Sequence, residues 1–295
     1  MAFTLDYMQK KFSLQSILIV LSAYFLTGCT KNIVLKVPTA PTQITVEGHI
    51  EPGGLAYLYL STNFSFFGTI SISNIIQNNV IHNAVVTIND GTTTDTMKEF
   101  IPSIGYYQSL HMTGQIGKTY SLTVKAIGQT ATATTTILAP IPLDSAWFEI
   151  SKGKDTLGFI YARLTSPLPA GRCYRWMAQR IGKDTTYLAP SFSAFNDQFF
   201  AGQTIQFAYQ RGSFPGSTAK DDTDAEAGYF KVGETVSVKF CVIDPTAYTF
   251  FKTYYTQLAS GEDPFASDAP ILGNIQGGQG IWCGYGTSYK TVYCK

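Results

Sequence analysis

Residues 43–50 read QITVEGHI, so that Ile44, Val46, Gly48 and Ile50 alternate with Gln43, Thr45, Glu47 and His49. A period of two places one set toward a core and the other toward water, as in a half-buried strand. Pro52-Gly53-Gly54 turns the chain, and Leu55 to Leu60 returns as a second strand. Residues 64–83, apolar but rich in Asn, read as an elaborated loop. Ala84 to Asn89 forms a strand closed by Asp90-Gly91, a strong hairpin signal. Tyr106 to Met112, Tyr120 to Ile127 and Thr130 to Ile137 follow, with Gly114 and Gly117 between the first two. Short strands with a turn every eight to twelve residues predict a β-sandwich over residues 43–138.

Pro140 and Pro142 mark a boundary, since neither can sit in a paired central strand. Beyond it, Ala146 to Ile150, Leu157 to Leu164, Cys173 to Ile181, Thr204 to Gln210 and Val236 to Ile243 are strand-like. One helix interrupts them over residues 245–260. Asp244 suits its N-cap, Pro245 its first position and Gly261 its close. Tyr248, Phe251, Tyr255 and Leu258 share one face at helical spacing and read as a core stripe rather than a ligand platform. The expected fold class is all-β: two immunoglobulin-like, antiparallel β-sandwich domains, residues 43–138 and 143–295, the second carrying the helix.

Composition agrees. Of the 295 residues 14% are charged and 14% aromatic, which favours strands over helical bundles and gives ample apolar surface to bury. A net charge of +1 without a basic run offers no electrostatic footprint for nucleic acid.

Residues 1–28 read as an address. Lys10 and Lys11 precede an eleven-residue apolar run, Ser16 to Leu26, too short for a bilayer span of about 20 residues but fitted to a secretory signal. Met8 makes an alternative start. Leu26-Thr27-Gly28-Cys29 resembles the bacterial lipobox, which implies cleavage before Cys29, a diacylglyceryl group on its thiol and a further acyl chain, such as palmitate, on the new amino terminus. More than one chain anchors where a single chain does not, at about 0.8 kcal/mol per buried CH₂. Residues 29–42, polar and carrying Pro38 and Pro41, form a tether. Loss of Asp6, Lys10 and Lys11 leaves a formally neutral mature chain.

The remaining cysteines, Cys173, Cys241, Cys283 and Cys294, are even in number, as a disulfide framework in an oxidising compartment requires. Cys283 and Cys294 flank a Gly- and Tyr-rich segment that reads as a terminal hairpin, which leaves Cys173 for Cys241. Zinc would want a CxxC-type spacing, which is missing.

Catalytic chemistry is hard to find. His49, His82 and His111 have no second ligand at metal spacing, and no GxSxG elbow is present. The glycines from Gly273 to Gly280 lack the Lys-Ser/Thr that grips phosphate and read as bulges or turns beside Trp282. Asp221, Asp222, Asp224 and Glu226 place Ala227 where a calcium loop wants glycine, so they read as a solvated acidic loop. The expectation is a non-enzyme with no metal and no cofactor. Trp147, Trp176, Trp282 and eighteen tyrosines can stack on a glycan or a peptide, but most should be core. The segments 64–67 (FSFF) and 192–200 (FSAFNDQFF) are the candidates for exposure.

Taken together, Val46-Glu47-Gly48, Ala84 to Ile88, Gly117 to Leu122, Cys173-Tyr174-Arg175, Asp244 to Tyr255, and Gly273 to Ile275 with Gly277, Gly278 and Gly280 resemble the lipoprotein family called domain of unknown function 4249. The resemblance covers essentially the mature chain. It implies a β-sandwich lipoprotein of Gram-negative outer membranes that acts beside a TonB-dependent receptor, and it implies no catalytic residues. Two functions follow as expectations. One is a lipid-anchored accessory or ligand-capture partner of a TonB-dependent transporter; the other is a structural envelope module without a small ligand. Thr30 after Cys29, where an aspartate would retain the protein in the inner membrane, points to the outer membrane. A neutral, aromatic-rich body favours the cell surface over the periplasmic face, although Lys31 and Lys36 precede the first acid, Glu47.

Overall fold

In the computed structural model residues 41–63, 79–213, 224–260 and 270–295 are described. Cys29, the 64–67 segment, Asp221, Asp222 and Gly261 lie outside them. The strands are β1 (Ile44–Ile50), β2 (Leu55–Thr62), β3 (Val85–Asn89), β4 (Thr94–Ile101), β5 (Tyr106–Thr113), β6 (Thr119–Ala126), β7 (Gln129–Thr136), β8 (Ser145–Ile150), β9 (Leu157–Thr165), β10 (Cys173–Arg180), β11 (Ala194–Asn196), β12 (Thr204–Tyr209), β13 (Phe230–Lys231), β14 (Thr235–Ile243), β15 (Gly278–Gly284) and β16 (Gly286–Tyr293). The helix α1 spans Pro245–Ser260. Among the described residues the protein is mostly β, with the helix α1, as the period-two pattern predicts.

The first sandwich uses eight strands in the order β15-β1-β2-β5-β4-β3-β6-β7. Strand β4 turns the corner between its two layers. Met97 in its first half lies opposite Val86 of β3, whereas Lys98 and Ile101 in its second half lie opposite Gln108 and Tyr106 of β5. Val46, Leu58, Val86, Ile88, Tyr120 and Val124 fill the space between the layers and are almost fully buried. Each buried aliphatic side chain there contributes about 1.5–3 kcal/mol.

Strand β15 comes from far along the chain and closes this sandwich. It runs parallel to β1, with Gly280 opposite Val46. Gly280 has φ +105°, and a Cβ there would stand 1.9 Å from the Val46 carbonyl oxygen, so only glycine fits. On its other side, Thr132 and Gln276 exchange backbone hydrogen bonds of 2.9 and 2.8 Å. Trp282 enters the first core and donates its indole N–H to the Tyr120 carbonyl at 3.1 Å. The prolines at 140 and 142 therefore separate β1–β7 from β8–β14, but the chain returns across that line, and residues Pro41–Lys295 make one compact unit.

The second sandwich packs β8, β9, β12 and β13 against the sheet β11-β10-β14-β16. Ile160, Leu164, Tyr174, Trp176, Phe230, Val238 and Phe240 lie between them. The other face of the β11-β10-β14-β16 sheet is covered too. Met177, Ile243, Ala247, Phe250, Phe251, Ile281 and Tyr285 form a third cluster that joins this sheet to α1 and β15. Asp244 caps α1 as expected, accepting the Ala247 N–H at 2.8 Å. The buried stripe is rotated from the expected one: Ala247, Phe250 and Phe251 are buried, and Leu258 is exposed.

The expected disulfides are corrected by this topology. Residues 283–294 do not form a hairpin: β15 pairs with β1 while β16 pairs with β14, so the chain changes sheets at Tyr285. Cys283 and Cys294 thus stand near opposite ends of β16, a strand about 23 Å long at 3.3 Å per residue. Cys294 belongs to the second core and Cys283 to the third cluster. Cys173 lies opposite Ile243 and Cys241 opposite Arg175, so these two are diagonal neighbours rather than a directly opposed pair. Diagonal positions are about 7–8 Å apart, beyond disulfide reach. All four are buried free thiols.

Candidate functional site

The junction of the two sandwiches collects the chemistry that the cores exclude. From the first sandwich, the alternation that buries Val46 and Ile50 turns Glu47 and His49 outward, beside Tyr59 and Tyr57 of β2. Tyr106 of β5 completes a tyrosine ladder, its ring 5.5 Å from Tyr57 and 5.3 Å from Tyr59. The His49 ring lies 4.1 Å from Tyr57 and 4.5 Å from Tyr285.

The second sandwich supplies two cations. Lys239 of β14 pairs with Glu51 at 2.5 Å and lies 5.4 Å from the rings of Tyr187 and Tyr285. Arg175 of β10 donates to the Tyr285 hydroxyl, and its guanidinium carbon sits 3.5 Å from the centre of the Phe251 ring on α1. Arg175 and His49 keep some accessible surface, yet Arg175 Nε and His49 Nε2 are enclosed and have no hydrogen-bond partner. Such atoms are costly unless something satisfies them.

Electrostatics follows from this crowding. Burial, reinforced by Lys239 and Arg175, pushes the His49 imidazole well below its ordinary pKa, so it is neutral. Burial raises the Tyr285 hydroxyl well above its ordinary value against the pull of Arg175. Burial also lifts Cys241 to about 12 and Cys283 well above the usual thiol range, leaving both as inert thiols. The cluster thus holds a guanidinium, a neutral imidazole and phenols packed at tilted and edge-on angles, which suit recognition by hydrogen bonds and ring faces rather than nucleophilic attack.

The sequence-designated residues fall in different places. Cys173, Cys241 and Cys283 line the hidden side of this junction, and Cys294 lies on the opposite face of its sheet. Trp176 and Trp282 are core, while Trp147 stacks on Tyr161 at 6.0 Å. In the 192–200 segment Phe195 and Phe200 pack on the second core, but Phe192 and Phe199 are exposed. Glu226 of the acidic run pairs with Lys231 at 2.6 Å. Arg175 and Lys239 were not expected as site residues. The readable signal was a cation inside a nearly continuous apolar strand, Cys173-Tyr174-Arg175-Trp176 and Val238-Lys239-Phe240-Cys241.

The profile of the family described as "Domain of unknown function (DUF4249)" matches residues 30–291. The chain belongs to this family. The matched span contains every residue of the junction, from Glu47 to Tyr285. None of the curated proteins matches the chain. Among solved structures, "Crystal structure of pullulanase type I from Bacillus subtilis str. 168 complexed with maltose" is similar at 7% identity over 70% of this chain, with a TM-score of 0.20. The chain spans 24% of that structure's length, and a likeness this slight bears on neither fold nor ligand. The family therefore brings no ligand with it, and the junction's own residues must carry the functional reading.

Proposed function

We propose that this protein is a lipid-anchored outer-membrane protein, facing the cell surface, that captures a ligand for a TonB-dependent transporter. It is a non-catalytic partner that takes a glycan or peptide against the tyrosine ladder at the junction. The observation that carries this reading is the ladder Tyr57, Tyr59 and Tyr106, joined through His49 and Tyr285 to Arg175, whose Nε has no partner. Clustered phenols present apolar faces with polar handles, and a poorly hydrated guanidinium forks onto carboxylate or carbonyl oxygens. The lipobox at Cys29 supports the anchoring part.

The test is extraction from native membranes in mild detergent, with and without Tyr59→Ala and Tyr106→Ala. Co-purification of a β-barrel receptor, and loss of ligand binding in the double variant, are expected. Recovery of the protein alone from cells growing on the relevant nutrient overturns the partnership. The second reading, a structural envelope module, draws on the Lys239–Glu51 pair, which ties the sandwiches together. It predicts unchanged ligand uptake when both tyrosines are removed.

A further inference from the structure

The two ends of the first sandwich differ in a way that neither its core nor the junction explains. Strand pairing puts the start of β1, the end of β2, the start of β3, the end of β4, the start of β5 and the turn from β6 to β7 at one end. The opposite end carries the turns Pro52-Gly53-Gly54 and Asp90-Gly91, and from it the chain leaves for the second sandwich after β7.

The first end is apolar at its surface. Val85, Phe100, Ile101, Ile104 and Ile127 are all exposed there, each between 37% and 56%. Single exposed aliphatics are ordinary, but five gathered on adjoining turns of one end are not. Ile127 adds a second observation. It occupies a two-residue hairpin turn at φ +47°, followed by Gly128 at φ +71°. That left-handed position favours Asn, Asp or Gly, and a β-branched residue there is strained. Strain tolerated to keep an isoleucine on an exposed tip points to use of the tip. Exposed Lys98 and Lys125 flank the patch, as cations do at a lipid headgroup layer.

The chain also enters the fold at this end. Asn63 donates to the Pro41 carbonyl at 3.0 Å and accepts the Gln43 N–H at 2.6 Å, and Gln129 donates to the Thr42 carbonyl at 2.8 Å. Only eleven residues lie between Cys29 and Pro41. A chain of that length spans at most about 40 Å.

We propose that the turns bearing Phe100, Ile101, Ile104, Val85 and Ile127 seat the first sandwich on the lipid surface itself, with the second sandwich held away from the bilayer. This rests on the lipid anchor proposed above. It makes the anchor and the apolar tips two signals on one face, which orients the body as the anchor alone could not.

The test uses the full-length acylated protein in phosphatidylethanolamine–phosphatidylglycerol vesicles, with Phe100→Trp as a reporter against the three native tryptophans. On vesicles made with dibrominated acyl chains the added emission is quenched, and the native emission is unchanged. Ile101→Asp with Ile104→Asp abolishes that quenching while the protein still floats with the vesicles. Flotation with Phe100→Trp unquenched overturns the seating and leaves the anchor standing. A protein that does not float overturns the anchor reading and the seating with it.

Discussion

Lys239 on β14 of the second sandwich and Glu51 at the end of β1 in the first meet at 2.5 Å, with the lysine side chain 5% exposed and the glutamate 23%. The asymmetry decides what each substitution does. Glu51→Ala strands a buried ammonium, which costs about 3 kcal/mol. Lys239→Met replaces the buried partner with apolar bulk and leaves a carboxylate that can turn toward water, so it costs clearly less. Urea unfolding of the two variants checks the order. Equal losses would mean that the pair is effectively solvated.

His49 gives a pH dependence with a definite sign. Its folded pKa lies well below the ordinary 6.5, through burial and the neighbouring Lys239 and Arg175. Below about pH 6.5 the unfolded chain therefore takes up a proton that the folded protein refuses, and stability falls as pH falls. One such group contributes a slope of about 1.4 kcal/mol per pH unit until its folded pKa is reached. His49→Phe removes this component, because the ring still packs against Tyr57 and Tyr285. The difference between wild type and His49→Phe in urea midpoint, from pH 8 to pH 5, reads it directly. Parallel curves for the two proteins would refute it.

Strand β15 is held by contacts that few substitutions tolerate. Trp282→Ala empties a fully buried site in the first core and removes the hydrogen bond to Tyr120, for an expected loss of about 3–5 kcal/mol. Although Trp282 lies late in the sequence, its loss should lower the stability of strands β1 to β7. Amide exchange localised to those strands checks the point. Faster exchange confined to β8–β14 would place the tryptophan's effect elsewhere.

The period-two runs from Ile44 to Ile137 and the cap at Asp244 were legible because local pattern determines them. Alternation fixes which face of a strand is buried, and Asp244 followed by Pro245 fixes a helix start. The return of β15 to β1 was not legible, since no local feature of Gly278 to Gly284 names a partner more than two hundred residues away. The spacing of Cys283 and Cys294 suggested a hairpin for the same reason: a one-residue link at Tyr285 looks identical whether the chain turns back or changes sheets. The junction was hidden because each of its charges sits on a different strand. Only the anomaly of Arg175 and Lys239 in apolar runs pointed to it.

Thiol chemistry follows from the same topology. Burial raises Cys173 to about 11 and Cys241 and Cys294 to about 12, so all four thiols stay protonated and sheltered at pH 8. The folded protein should react with an aromatic disulfide reagent over hours at most sites, then release four equivalents at once in denaturant. Two equivalents or none in denaturant would show that oxidation has joined cysteines that the folded strands hold apart.

The last prediction concerns the start of the chain. Leu26-Thr27-Gly28-Cys29 follows an apolar run of signal length, and Pro41, twelve positions later, accepts from Asn63 at 3.0 Å. Among the described residues, the cores are built from Ile44 onward. Cys29→Ser should therefore leave the β-sandwiches intact while blocking acylation and the cleavage that depends on it. The variant is expected to run as the longer precursor, to lose labelling by a palmitate analogue, and to unfold at the same urea concentration as wild type. Continued labelling together with outer-membrane fractionation of the serine variant would place the attachment elsewhere in the chain. Protease shaving of intact cells extends the same experiment to orientation, since a surface-facing body is cleaved before the outer membrane is permeabilised and a periplasmic one only afterwards.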